Sequence, residues 1–106
     1  MVSVNHIAIS VSEFERYSRL FVSLGFNVLR ESGEYPKRQL WFKEGIQLKE
    51  DMTIEDKNVI DHIALEVDHE DNVVKLALEN GCYRLRKNDN WIALPNGIAI
   101  ELLERK

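Results

Sequence analysis

Asn5-His6-Ile7-Ala8-Ile9-Ser10-Val11 returns fifty-six residues later as Asp61-His62-Ile63-Ala64-Leu65-Glu66-Val67. Held without a gap, the same offset sets Leu20 on Leu76, Gly25 on Gly81, and Leu29-Arg30 on Leu85-Arg86. The next stretch shortens by a few residues, after which Gly45-Ile46-Gln47-Leu48-Lys49 aligns with Gly97-Ile98-Ala99-Ile100-Glu101. A register kept across a strand, a helix and a glycine is an internal repeat, and repeats decide a fold before any single motif does. The chain reads as a first module over 1–50, a polar, charge-rich linker over 51–59 and a second module over 60–106.

Each copy carries the same local signals. Val2 to Val11 alternates and is rich in β-branched residues, as a half-buried strand is. Ser12 then offers an N-cap with Glu15 as the partner of a capping box. Phe14, Tyr17, Leu20, Phe21 and Leu24 form the apolar stripe of a helix, and Gly25 stops it in the left-handed conformation. In the second copy Asp68 is the expected cap, Val73, Leu76 and Ala77 the stripe, and Gly81 the stop. Three short strands follow in each copy: Asn27–Glu31, Gln39–Lys43 and Ile46–Glu50, then Tyr83–Arg86, Trp91–Leu94 and Ile98–Leu103. Leu94-Pro95-Asn96-Gly97 is turn chemistry. The expected class is α+β: two tandem βαβββ modules whose eight strands form a curved mixed sheet around a cup. A ferredoxin-like βαββαβ layout would set two strands between the helices, where four are counted here.

Composition closes off other classes. One hundred and six residues with 44% hydrophobic and 30% charged side chains suit one ordinary folded domain. A chain of this size buries roughly two-thirds of its unfolded surface. A net charge of −4 argues against a nucleic-acid partner, which would want a basic face. A single cysteine, Cys82, excludes an intrachain disulfide and suggests a reducing compartment, with a buried structural thiol as its ordinary role. No basic-then-apolar leader and no apolar run of about 20 residues are visible, so a cytoplasmic protein without membrane contact is expected.

Strand alternation divides each sheet into two faces. Ile7, Ile9 and Val11, with Ile63, Leu65 and Val67, take the core face, as do Leu40, Phe42, Ile92, Ile98, Ile100 and Leu102. The opposite face receives His6, Ala8 and Ser10, His62, Ala64 and Glu66, Gln47 and Lys49, Ala99, Glu101 and Leu103, and both Trp41 and Trp91. Arg30, Arg84 and Arg86 are expected there too, near a rim. Two tryptophans and two histidines among small residues suit a concave ligand surface better than a solvated one. His69, at a helix start, is expected in solvent.

The module order, the paired His-Ile-Ala starts at His6 and His62, and the Pro95-Asn96-Gly97-x-x-x-Glu101 ending resemble the vicinal oxygen chelate superfamily. That group includes glyoxalase I, methylmalonyl-CoA epimerase, extradiol dioxygenases, fosfomycin-modifying enzymes and bleomycin-resistance proteins. The resemblance covers essentially the whole chain, and it implies fold far more specifically than function. In metal-dependent members, ligands come from the first and last strands of each module, which implies His6, His62 and Glu101 as a divalent-metal set for Zn, Ni, Mn or Fe. The fourth position is Lys49, which cannot ligate while protonated; Gln47 is one pleat away.

Three functions therefore stay open. A glyoxalase-type lyase or isomerase would move a proton with Glu101 or Glu66 beside the metal. A metal-free binding protein of bleomycin-resistance type would set Lys49 against Glu101 in the cation's place and stack a planar ligand on Trp41 and Trp91. An Fe(II) extradiol-type dioxygenase would use the same triad for oxygen chemistry. Substrate contacts are expected from Trp41, Trp91, Lys49, Gln47, Arg30 and Arg86, the partner is a small molecule, and the resemblance implies a homodimer.

Overall fold

A computed structural model of the chain describes residues 2–54 and 59–105; residues 55–58 of the expected linker lie outside the described residues. In chain order the elements are β1 (Ser3–Val11), α1 (Phe14–Ser23), β2 (Val28–Ser32), β3 (Gln39–Phe42), β4 (Ile46–Glu50), β5 (Val59–Val67), α2 (Glu70–Glu79), β6 (Tyr83–Arg84), β7 (Trp91–Ala93) and β8 (Ala99–Glu104). The α+β class, the repeated βαβββ order and the eight strands of a mixed sheet are as the sequence implies. The chain divides into two compact units, one of residues 6–61 and one of residues 1–5 with 62–106.

In the 6–61 unit, β1 pairs with β4 in parallel, from Ile7 opposite Ile46 to Val11 opposite Glu50. Antiparallel pairing then adds β3 to β4 and β2 to β3. A parallel pair cannot be closed by a hairpin, so the intervening chain must cross over, and α1 packs on the apolar face as it does so. Val11, Phe14, Leu40, Phe42 and Leu48 are buried there, with Ile9, Tyr17, Phe21, Phe26 and Ile46 packed around them. Phe21, Phe26 and Phe42 meet ring to ring at centroid distances of 5.0 to 5.8 Å.

The other unit repeats the plan. Strand β5 pairs in parallel with β8, β8 antiparallel with β7, and β7 with β6. Its core is Val67, Val74, Ile92, Ile100 and Leu102, flanked by Ile63, Leu65, Val73, Ala77 and Leu94. The Leu94–Gly97 turn forms as expected, with Gly97 N–H donating to the Leu94 carbonyl at 2.8 Å. Gly25 and Gly81 stop the helices at φ of +104° and +96°, a region open to glycine at little steric cost.

Three local expectations are corrected. Helix α1 is capped by Glu13 rather than Ser12, and α2 by His69 rather than Asp68, neither with a side-chain capping bond. The carboxylates that would have served the caps are drawn away: Glu15 accepts from Arg38 at 3.0 Å, and Asp68 from Arg105 at 3.2 Å. Leu20 and Leu76 are exposed at 48% and 60% because each lies about 100° round its helix from the buried stripe, at 100° per residue. Leu24, at 66%, falls beyond the last turn, and Val74 rather than Leu76 joins the buried core.

Glu50 is the charged exception in the first core. Strand parity points it inward with Ile46 and Leu48, and its side chain is 1% exposed. Arg38 meets it with a fork, Nε to Oε1 at 2.9 Å and Nη2 to Oε2 at 2.7 Å, while its plane lies over the Phe14 ring. The guanidinium hydrogen bonds hold the Glu50 carboxyl below its ordinary range, against burial. A carboxyl whose folded pKa is depressed stabilises the fold above its unfolded pKa, and that stability is lost as pH falls through the folded value. Glu50→Gln is expected to lower the melting temperature at neutral pH by roughly 5–10 °C. Its melting temperature should also fall less steeply than that of the parent chain between pH 5 and pH 3, as read by circular dichroism.

Candidate functional site

Cross-strand pairs share a face, so the register fixes which side chains meet. In the 62–106 unit Trp91 stands opposite Glu101, Ala64 opposite Glu101 on the other flank, and His62 opposite Ala99. His62, Ala64, Trp91 and Glu101 therefore lie together, as alternation implied. His62 is buried, Ala64 and Ala93 are fully buried, and Glu101 and Trp91 are half-buried.

His62 Nε2 stands 3.5 Å from Glu101 Oε1. Two ligands held about 2.0–2.1 Å from one ion are separated by roughly 3.0–3.4 Å at octahedral to tetrahedral angles, so this imidazole and carboxylate stand at nearly the spacing of two donors to one cation. Imidazole with carboxylate is a donor set that Zn, Mn and Fe(II) all accept. The Trp91 ring meets His62 edge-to-face, with centroids 4.9 Å apart and planes at 72°, and so restricts how the imidazole turns. Lys87 Nζ lies 4.4 Å from the Trp91 ring centroid.

Glu66 shares the strand and face of His62 but points to other partners. It accepts from Asn5 Nδ2, and Arg105 Nε approaches it at 3.6 Å. Arg105 also donates to Ser3 Oγ at 2.6 Å, tying the start of β1 to the end of β8.

In the 6–61 unit, His6 is half-buried on β1, on the parity of Ala8 and Ser10. Gln47 is buried and donates through Nε2 to Gln39 Oε1 at 2.7 Å. Trp41 is opposite Gln47 and next to Arg30 in register, and the Arg30 guanidinium lies 4.0 Å from its ring centroid. Lys49 donates to Asp61 Oδ2 at 3.1 Å, and Ser10 Oγ donates to Asp61 Oδ1 at 3.4 Å. The metal-free alternative would pair Lys49 with Glu101; its partner here is Asp61. Asp61 was missed as a site residue, although it occupies the repeat position of Asn5, where an acid replacing an amide is a visible signal.

One expected arginine placement changes. Arg84 stands opposite Ile92, a core residue, so it lies on the helix face and lines a depression with Asp71, Val74 and Lys75. Arg86 follows the end of β6, where strand parity no longer applies, and is exposed. His69 is exposed as expected, and Cys82 is half-buried with a free thiol.

No family model matches the chain, and no curated protein matches it. Solved structures do. Methylmalonyl-CoA epimerase from Mycobacterium tuberculosis is 18% identical at a TM-score of 0.67, over 97% of this chain and 87% of that one. A variant of homoprotocatechuate 2,3-dioxygenase from B. fuscum is 15% identical at a TM-score of 0.64, with 97% of this chain spanning 33% of that one. The Mn(II)-bound glyoxalase from Novosphingobium aromaticivorans is 18% identical at 0.59, over 97% and 41%. The chain has the vicinal oxygen chelate fold. At these identities the likeness is one of fold.

The contact between Trp91 and His62 gives a direct check on this geometry. The His62 ring protons are expected to be displaced from their free-peptide shifts by the indole ring current in NMR spectra, and Trp91→Ala should return them. Unchanged shifts in that variant would contradict the edge-to-face contact.

Proposed function

We propose that His6, His62 and Glu101 hold a divalent cation and that the chain is a small metal-dependent enzyme of the lyase or isomerase kind. The spacing of His62 Nε2 and Glu101 Oε1 carries the reading. His6 enters through the repeat, since it stands in the first module where His62 stands in the second. All three offer a ligand atom, with His62 buried and His6 and Glu101 half-buried. The engagement of Lys49 with Asp61 supports it further, because that cation has a carboxylate of its own. The epimerase and the Mn(II)-bound glyoxalase that share the fold point to the same class.

When bound, such an ion supplies Lewis acidity to a carbonyl or enediolate oxygen. The chain's own residues do the rest. Trp91 orients the His62 ring, and the buried Ala64 and Ala93 leave that face without bulk of its own. Of the two carboxylates expected to move a proton, we assign the role to Glu101. Glu66 is held by Asn5 and Arg105 as a fixed, hydrogen-bonded anion.

The partner in this reading is a small molecule, and Gln47, Lys49, Trp41, Arg30 and Arg86 remain its proposed contacts. Among the described residues no helix is long and apolar enough to cross a membrane. A homodimer belongs to the proposal, supported by the exposed edge strand β2, whose Val28 and Leu29 are 44% and 62% exposed.

Chelator-free protein dialysed against Mn(II), Zn or Fe(II) is expected to hold about one ion per chain by elemental analysis. His62→Ala, His6→Ala and Glu101→Ala should each weaken binding by at least about a hundredfold. Retention of metal in all three variants would contradict the set. Absence of metal under every loading would leave the metal-free binding protein, and oxygen uptake on catechols by the Fe(II) form would select the dioxygenase.

A further inference from the structure

The geometry points to Lys87 as a specificity residue that selects an anionic ligand, one carrying a carboxylate beyond the oxygens that meet the metal. The inference rests on the site proposed above and names the class of molecule that enters it.

Lys87 follows β6, and the chain folds back before β7: Leu85 N–H donates to the Trp91 carbonyl at 3.2 Å, and Trp91 N–H to the Asn88 carbonyl at 3.1 Å. This tight return sets the Lys87 ammonium over the indole at 4.4 Å. The same indole also meets His62, with ring centroids 4.9 Å apart. One aromatic ring therefore contacts both a cation and the imidazole of the imidazole–carboxylate pair.

Several cations near the sheet are neutralised. Arg38 has Glu50 and Glu15, Lys49 has Asp61, and Arg105 has Glu66 and Asp68. Among the described residues Lys87 has no carboxylate partner, and neither does Arg30. Arg30 stands over Trp41 in the first module as Lys87 stands over Trp91 in the second. Each repeat thus presents one unpaired cation resting on the tryptophan of its site face. A cation–π contact holds such a group in place without cancelling its charge, so it still attracts an anion. It also occupies a ring face, which disfavours the flat aromatic stacking that the tryptophans alone would suggest.

The experiment uses Mn(II)-loaded protein and two acids of equal length, 2-oxoglutarate and 2-oxopentanoate, which differ in bearing a carboxylate or a methyl at the far end. Both offer a metal the same 2-oxo acid chelate. Isothermal titration is expected to show 2-oxoglutarate binding at least about tenfold more tightly, with the advantage shrinking as salt rises. Lys87→Met should abolish that advantage and leave 2-oxopentanoate affinity and metal content unchanged, while Lys87→Arg should keep most of it. Equal binding of the two acids, no binding of either, or an advantage that survives Lys87→Met overturns the inference. If the parent chain takes up no Mn(II), the metal reading fails, and the same titration on metal-free protein decides Lys87 by the same criteria.

Discussion

Parallel pairing between the first and last strands of each module is the constraint on which the rest of the structure depends. It sets His62 opposite Ala99 and Ala64 opposite Glu101, so an imidazole and a carboxylate thirty-nine positions apart in sequence share one face. It also demands a crossover, and the helix that makes it covers the opposite face. In each module one face of the strands is thereby spent on packing, and in the second module the other carries His62, Trp91 and Glu101. A one-residue slip of β8 against β5 would turn Glu101 into the core and Ile100 out of it, which the burial of Ile100 and Leu102 strongly resists.

Much of this is legible in the sequence because strand alternation and repetition are local and redundant. The helix stops at Gly25 and Gly81, the Leu94–Gly97 turn, and the common face of Trp91 with Glu101 all follow from short-range rules. So does the joint placement of His62 and Glu101, once two copies are aligned.

What escaped is long-range and electrostatic. The expected caps failed because Arg38 and Arg105, distant in sequence, claim Glu15 and Asp68. Nothing local says that Lys49 will meet Asp61, or that Glu50 points inward against Arg38. Arg84 was assigned to the wrong face because β6 has only two residues, too few for alternation to fix a register from sequence. Lys87 escaped for a related reason: its position over Trp91 is set by the main-chain closure of the 85–91 return, which no side-chain pattern announces.

The proposed cation set is a buried imidazole, a carboxylate at donor spacing and a second histidine. Pulsed electron paramagnetic resonance of the Mn(II)-loaded chain tests that most directly, because nitrogen modulation counts the imidazoles on the ion. Couplings from two imidazoles are expected in the parent chain, falling to one in His6→Ala. A spectrum without nitrogen coupling, that of an ion ringed by water and carboxylate alone, would contradict the site.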